Sequence, residues 1–214
     1  MNVKVFKNRF NKCIKLNHKL SKFNWFGVGG KAEILFIPEN EKIRKFFLKS
    51  KPTKNKVLAI GAGSNLLIRD KGINGIVLVT KKLKNISIDN NGIISAQAGA
   101  TDAEVARFAR DYERTGLEFL LGIPGTIGGG IKMNSGAFGS EFKDILIDVT
   151  AINLSGEFRV FSVKELGMQY RKIGISNEWI FCTARFKSTS DNKQNIEAKM
   201  KQILYLRKTA QPTG

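Results

Sequence analysis

The pattern of apolar and polar positions along this chain predicts short strands that alternate with helices. Apolar runs bounded by glycine, proline or asparagine are typical of strands. They lie at residues 33–37, 57–63, 75–80, 86–89, 92–99, 145–154, 158–163 and 179–186. A helix is predicted over residues 40–50, with Ile43, Phe46 and Phe47 on one face. The first two strands and this helix therefore predict a βαβ unit whose second strand is buried and runs into a glycine turn.

A second helix has clear boundaries in the sequence. Thr101 is a suitable N-cap, and Glu104 three residues later completes a capping box. Helical spacing predicts a buried face formed by Val105, Phe108, Ala109 and Tyr112. Gly116 is the predicted C-cap. A third helix is predicted over residues 195–209.

Turn residues indicate how the remaining strands are joined. The strands within residues 75–99 are expected to share a sheet, with turns such as Asn90-Asn91-Gly92. Residues 145–154 and 158–163 form a predicted hairpin across Ser155-Gly156. The pattern favours an α+β fold of two subdomains that meet near two glycine-rich segments.

The first glycine-rich segment follows a predicted strand directly and reads Gly61-Ala62-Gly63-Ser64-Asn65-Leu66. Glycines let another group approach the backbone closely, and such a turn can hold a pyrophosphate through N–H groups. It lacks the Rossmann fingerprint because Leu66 stands where the third glycine would be. Taken alone, the segment fits a structural turn as well as a phosphate site.

The second glycine-rich segment covers residues 122–139, where apolar residues and Asn134 interrupt the glycines. A flexible linker would be more polar, so this pattern favours an ordered loop packed against a large ligand. No P-loop lysine is present, because Ile131 occupies the corresponding position. A tight crossover between subdomains is the structural alternative.

Composition indicates a globular chain with an uneven positive charge. The 214 residues are 42% hydrophobic and 25% charged, with a net charge of +18. Residues 1–56 hold 15 Lys/Arg and 3 Asp/Glu, a net of +12, and the remainder holds 21 and 15, a net of +6. This lysine-rich excess lacks the arginine and aromatic interleaving of single-strand platforms. Nucleic-acid binding therefore remains only a minor alternative.

Targeting and metal-site signals are weak. No apolar run approaches the ~20 residues of a membrane span, and the basic N-terminus lacks the apolar core of an export signal. We therefore expect a cytoplasmic protein without a membrane partner. Cys13, Cys182 and the single histidine, His18, are too few and too scattered for a zinc site. Both cysteines are expected to be reduced, with Cys182 in the core.

Four segments taken in order resemble the UDP-N-acetylenolpyruvoylglucosamine reductase family, and the similarity extends from about residue 20 to the end. They are FGVGGKAE at 26–33, GAGSNLL at 61–67, GIPGTIGGGIKMNSGAFG at 122–139, and Tyr170-Arg171. Their order and spacing are specific to the family. The resemblance implies an FAD-binding fold shared with vanillyl-alcohol oxidase and p-cresol methylhydroxylase. It further implies a basic segment (1–22), two FAD-binding subdomains (23–85 and 86–190) and a connection (191–214) to a substrate domain.

The family pattern implies which residues contact FAD. Gly61, Ala62, Gly63, Ser64, Asn65 and Leu66 would hold the pyrophosphate and its surroundings. The rest of the cofactor would be lined by Ile123, Pro124, Gly125, Thr126, Gly128, Gly129, Asn134, Gly136 and Ala137. Neutral backbone donors fit a pyrophosphate without a P-loop lysine.

The family's reaction is the NADPH-dependent reduction of UDP-N-acetylglucosamine enolpyruvate to UDP-N-acetylmuramate in peptidoglycan synthesis. Negative charge builds toward the substrate carboxylate, so a fixed cation there is useful. By resemblance Arg171 takes this role, since a guanidinium can grip a carboxylate with two hydrogen bonds. Tyr170, its neighbour in the motif, would help to shape the site.

Some departures from the family pattern limit this expectation. The family's proton-donor serine is expected shortly after a segment like Gln211–Gly214, and neither this serine nor a later glutamate is present. Most of the substrate domain is likewise missing, so we expect flavin reduction without completion of the reaction. Gly130, Ser135 and Phe138 replace the common alanine, alanine and tyrosine. The main alternative is a non-catalytic FAD- or nucleotide-binding module derived from the family.

Overall fold

The computed structural model describes residue 10 and residues 12–50 and 56–210. Its strands are β1 (Ile14–Lys19), β2 (Lys31–Phe36), β3 (Val57–Ile60), β4 (Ile73–Val79), β5 (Ile86–Ile88), β6 (Ile94–Gln97), β7 (Arg114–Thr115), β8 (Gly136–Ala137), β9 (Ser140–Glu141), β10 (Leu146–Ile152), β11 (Phe158–Ser162), β12 (Ile180–Phe186) and β13 (Thr189–Ser190).

Its α-helices are α1 (Glu41–Ser50), α2 (Asp102–Asp111), α3 (Ile127–Lys132), α4 (Phe142–Ile145), α5 (Val163–Leu166) and α6 (Lys193–Ala210). Short 3-10 helices cover Ser21–Phe23 and Glu118–Gly122. The described part of the chain excludes residues 1–9 of the basic segment, the side chain of Phe46, and residues 211–214.

The first sheet has the strand order β1-β2-β4-β3. Strand β1 is antiparallel to β2, whereas β2 and β3 both run parallel to β4. Alternate residues of β4 face two separate apolar clusters, Ile76 and Leu78 on one side and Val77 and Val79 on the other. The sheet is therefore covered on both faces, as parallel pairing requires.

The predicted βαβ unit is confirmed, since β2 and β3 lie in one sheet, both run parallel to β4 and are joined by α1; strand β4 is inserted between them. Two other predictions about this sheet were wrong. Residues 75–80 belong to this sheet and not to the sheet that contains residues 86–99. Strand β3 is an edge strand with Leu58 40% exposed, and the sequence alone had indicated full burial.

The second sheet is entirely antiparallel, in the order β11-β10-β12-β6-β5. The predicted hairpin between β10 and β11 is confirmed, with Gly156 in the left-handed region at φ 82°. Helices α2 and α6 help to cover this sheet, and their buried residues include Val105, Ala109 and Ile196. The combination of the two sheets confirms the α+β class.

Helix α1 joins the two sheets. Its Arg44 is fully buried, donates from Nη1 to the Phe181 carbonyl oxygen of β12 (3.2 Å) and pairs with Glu41. Because burial raises the pKa of Glu41, the guanidinium beside it offsets part of the desolvation cost of the pair. The arginine thus fixes the first sheet's helix against a strand of the second sheet.

The two cysteines lie in the same apolar cluster as α1. Both are buried and free, which confirms the expectation for Cys182 as a core residue. Burial raises the pKa of the Cys182 thiol to about 12. The thiol is therefore protonated and unreactive at neutral pH.

The capping box of α2 is confirmed, but the predicted end of the helix is wrong. Thr101 Oγ1 accepts from Glu104 N (3.1 Å), and Thr101 N donates to Glu104 Oε2 (2.9 Å). The helix ends at Asp111 because Glu113 already adopts positive φ (54°), so Gly116 is not its C-cap. Tyr112 is 54% exposed, so it is not on the buried face, where Ala106 lies instead.

We expect Thr101→Ala to lower the free energy of unfolding by about 1 kcal/mol, because the substitution removes the N-cap acceptor. Chemical denaturation of the purified protein measures this change. Thr209→Ala, which removes an exposed hydroxyl in the last turn of α6, should change the free energy of unfolding by less than about 0.5 kcal/mol. Equal effects of the two substitutions would contradict the capping role.

Candidate cofactor-binding site

The two glycine-rich segments meet where the two sheets face each other. The first follows β3 of the first sheet, and the second precedes α3, which packs against the second sheet. A Cβ added at Gly61 would lie 2.0 Å from Thr126 Oγ1, so any larger residue would force the Thr126 side chain to move. A Cβ added at Gly125 would lie 3.8 Å from Ser64 Oγ, which places the two segments side by side.

Four successive backbone N–H groups in the first segment have no acceptor. Within the described residues, the amides of Ala62, Gly63, Ser64 and Asn65 donate no hydrogen bond to the protein. Gly63 is in the left-handed region at φ 71° and packs against Phe23 and Asn24, where a side chain would collide with the backbone. Buried backbone donors are nearly always paired in folded proteins. The unpaired amide of the buried Gly63 therefore favours an external acceptor, and the half-buried or exposed amides beside it are accessible to the same acceptor.

Buried polar side chains without partners surround the same crossing. Thr126 Oγ1, Asn24 Oδ1 and both carboxylate oxygens of Asp102 are buried and make no hydrogen bond within the described chain. Asp102 is fully buried, and its Oδ2 lies 2.8 Å from the position of a Cβ added at Gly125. Its burial raises the pKa of the carboxyl group to about 8. These unpaired atoms fit a polar ligand that contacts this region.

The glycines of α3 have different surroundings. Gly128 N donates to Ala98 O (2.9 Å), and a Cβ at Gly128 would lie 2.9 Å from the Ala98 Cβ. A Cβ at Gly130 would lie 2.3 Å from the Phe142 ring. Gly129 is exposed, and an added Cβ would meet only Thr126 Oγ1, at 3.6 Å. Packing therefore requires glycine at positions 128 and 130, whereas Gly129 faces open space.

The remaining predicted residues of the second segment flank this crossing. Ile123 and Pro124 are half-buried in the turn before α3, while Gly136 and Ala137 form the short strand β8 beside β9. Leu66 is half-buried and packs against the apolar cluster beneath the first sheet. All the residues predicted to contact the cofactor thus lie on these two segments and their immediate continuations.

Asn134 holds the second segment together and connects it to a distant turn. It adopts positive φ (40°) and is buried. Its Nδ2 donates to Glu141 Oε2 (2.7 Å) and to Gln169 O (3.4 Å), and its Oδ1 accepts from Lys143 N (3.0 Å). These contacts use both the donor and the acceptor of the amide group, so Asn134 stabilises the second segment through hydrogen bonds inside the protein.

The Asn134–Gln169 contact brings the predicted Tyr170-Arg171 pair next to the second segment. Gln169 and Lys172 pair through two backbone hydrogen bonds and present Tyr170 and Arg171 at the tip of a tight turn. Tyr170 is 83% exposed, and the Arg171 guanidinium lies 5.7 Å from its ring centroid. Arg171 has positive φ (55°), which costs free energy for a residue with a Cβ.

Sequence reasoning missed Asp102 and Asn24. Asp102 occupies the first position of α2, where an acidic residue is commonly explained by the helix dipole. Only its complete burial against Gly125 indicates another role, and burial of a single polar residue has no signature in the sequence. Asn24 precedes the segment at residues 26–33, whose pattern had been noted without a role.

Comparison with known proteins shows which family this chain resembles. A family model described as an FAD binding domain matches residues 33–162. UDP-N-acetylenolpyruvoylglucosamine reductase of Orientia tsutsugamushi (strain Ikeda) is 40% identical over 92% of this chain and 66% of the relative. The enzyme of that name from Pelagibacter ubique is 38% identical over 99% of this chain and 70% of the relative. The chain therefore spans about two thirds of the length of these relatives.

Solved structures show the same fold. The crystal structure of UDP-N-acetylenolpyruvylglucosamine reductase from Thermus caldophilus superposes with a TM-score of 0.78 at 31% identity, covering 94% of this chain and 70% of that one. Glucooligosaccharide oxidase from Acremonium strictum has a TM-score of 0.58 at 17% identity over 74% of this chain and 35% of that one, so this likeness concerns the fold alone. The chain has the FAD-binding fold of the vanillyl-alcohol oxidase type. No helix within the described residues is long and apolar enough to cross a membrane.

We expect Gly61→Ala and Gly129→Ala to have opposite effects on stability. The new methyl group at position 61 would collide with Thr126, which should lower the free energy of unfolding by about 1–3 kcal/mol. At position 129 a methyl group fits, and alanine favours helix α3 by up to about 1 kcal/mol. Thermal and chemical denaturation without added ligand measure both effects. A stable Gly61→Ala protein would contradict the described contact between the two segments.

Proposed function

Because this chain belongs to the UDP-N-acetylenolpyruvoylglucosamine reductase family, we propose that it acts in the NADPH-dependent reduction of UDP-N-acetylglucosamine enolpyruvate to UDP-N-acetylmuramate. FAD, when bound, supplies the hydride chemistry that connects NADPH to the enolpyruvyl double bond. The proposed reaction uses a nucleotide-sugar substrate and NADPH, and we propose that it takes place in the cytoplasm, with no part for nucleic acid or a membrane.

The run of unpaired amides at residues 62–65 carries this proposal. Four N–H groups in one turn can bind the pyrophosphate of FAD without a positively charged residue. The sequence from Gly61 to Leu67 contains no titratable side chain, and neither does the sequence from Gly122 to Ile131. Neutral donors would thus stabilise the dianionic group by hydrogen bonds, without a charged partner.

The other residues of the site would hold and orient the cofactor in our proposal. Thr126 Oγ1 is buried without a partner and could bond to a polar group of FAD. Gly125 and Gly129 leave space on one side of this hydroxyl, and residues 134–137 border the same region. We propose residues 23–85 and 86–190 as the two FAD-binding halves, and residues 191–214 as the connection to a substrate domain.

Arg171 is the proposed group that binds the substrate carboxylate. Its turn is attached to the second segment through Asn134 and Gln169, which brings the backbone of Arg171 near the proposed cofactor site. A fixed cation near the carboxylate stabilises the negative charge that develops when hydride adds to the adjacent double bond. The exposed Tyr170 ring restricts the orientation of the guanidinium through their contact.

The first experiment is an absorption spectrum of the purified chain before and after FAD is added, followed by NADPH without oxygen. We expect a bound flavin spectrum that bleaches with NADPH. Bound flavin that NADPH does not bleach would favour a non-catalytic FAD-binding module. Failure to bind FAD after reconstitution would overturn the proposal.

Gly129→Ala separates cofactor binding from folding. The variant should be at least as stable as the unsubstituted chain, yet it should bind FAD about tenfold or more weakly, because its methyl group would occupy space assigned to the cofactor. Quenching of FAD fluorescence measures the dissociation constant. The control is Ser155→Ala, on the exposed β10–β11 turn, which should leave FAD affinity unchanged.

Arg171→Gln tests the proposed carboxylate contact. We expect it to weaken binding of the enolpyruvyl substrate to the oxidised flavoprotein about 10- to 100-fold, since a charge-assisted hydrogen-bond pair is lost. The substrate-induced change in flavin absorbance measures this affinity. FAD affinity and the rate of reduction by NADPH should change less than about twofold. Arg159→Gln, at an exposed pair with Glu165, is the matched control. Equal substrate affinity in both variants would exclude Arg171 from this role.

A further inference from the structure

Asp102 is a buried carboxyl group for which neither the fold nor the proposed function yet has a use. It begins α2, is fully buried, and has no hydrogen-bond partner on either oxygen within the described chain. Its backbone N–H donates to Gly125 O (3.3 Å). Its Oδ2 lies against Gly125, on the same side as Ser64 Oγ. The side chain therefore lies at the crossing of the two glycine-rich segments.

We propose that Asp102 is a positioning residue that must keep its proton for FAD to bind, so that cofactor affinity is coupled to its ionisation. This inference rests on the proposed function. A neutral carboxylic acid can donate one hydrogen bond and accept others, which suits a site that binds polar groups. An ionised carboxylate would instead add a buried negative charge beside the segment that would hold a pyrophosphate.

The surroundings of Asp102 favour the neutral form. The segment that contacts it, residues 122–126, and the neighbouring residues 61–67 contain no charged or titratable side chain. On its own helix, Glu104 points into the capping box, bonds to Thr101 and lies 3.6 Å from Lys84 Nζ. Among the described residues no cation compensates the Asp102 charge, and burial alone raises its pKa to about 8. The group is therefore mostly protonated at neutral pH and ionises as the pH rises above 8.

A purely structural role explains Asp102 poorly. An acidic residue in the first turn of a helix stabilises it through its negative charge and through bonds to backbone amides. Asp102 makes no side-chain bond, and the N-cap function already belongs to Thr101. A buried group that lacks a partner costs free energy, and far more when it is charged, so ionisation of Asp102 directly behind Gly125 would disturb the segment that would hold the cofactor.

The test measures FAD affinity by fluorescence quenching from pH 6.5 to pH 9.5. If binding requires the proton, affinity should fall about tenfold per pH unit above the pKa of Asp102. Asp102→Asn mimics the neutral acid, so it should bind FAD at pH 6.5 within about threefold of the unsubstituted chain and show no such fall. Asp111→Asn, an exposed carboxylate at the other end of α2, should keep the pH dependence of the unsubstituted chain.

Stability without FAD gives a second readout. Because the folded-state pKa lies above the unfolded value, the unfolded chain loses its proton first as pH rises. The unsubstituted chain should therefore lose stability relative to Asp102→Asn between about pH 4 and pH 8, and the difference should stay constant above that range. Thermal denaturation across this range measures it.

The outcomes separate this inference from the proposed function. FAD binding that is independent of pH in the unsubstituted chain, or equally pH-dependent in Asp102→Asn, would overturn the role of Asp102 and leave the proposed function intact. An absence of FAD binding at every pH would overturn the proposed function and the coupling with it, even if the stability readout still showed a buried acid.

Discussion

The contact between the backbone of Gly61 and the side chain of Thr126 is the constraint on which the site depends. It joins a loop of the parallel sheet to the turn before α3, and the 2.0 Å separation of a Cβ at Gly61 from Thr126 Oγ1 leaves no room for a larger residue unless the Thr126 side chain moves. Arg44 provides a second tether through the Phe181 carbonyl oxygen. With both in place, the amides of residues 62–65 and the buried groups of Asp102 and Thr126 share one small region.

Such a region lowers the free energy of unfolding of the chain. Each buried polar group without a partner costs about 1–3 kcal/mol, and the crossing contains several of them. The capping box at Thr101 and the apolar cluster beneath α2 oppose this cost, since they hold Asp102 in place from behind. Stability is thus concentrated in the elements that support the site, whereas its surface retains unsatisfied donors and acceptors that a ligand can use.

Local chemistry explains which features could be predicted from the sequence. The Thr101 capping box and the Ser155-Gly156 hairpin depend on residues within a few positions of one another, and both were correct. The insertion of β4 between β2 and β3 depends on contacts between distant residues, which periodicity does not encode. The family resemblance identified the two glycine-rich segments, but it could not show which residues bury an ionisable group there. Asp102 was missed for this reason.

Glycines within one motif therefore have different physical roles. Gly128 and Gly130 are required by the neighbouring Ala98 and Phe142, so replacing either would damage the fold before any effect on a ligand could be measured. Gly129, between them, is exposed and has space for a side chain. Packing does not require this glycine, and alanine would be more stable in the helix, so we propose that another molecule approaches closely there. On this proposal Gly129, more than the number of glycines around it, would distinguish a binding segment from a tight turn.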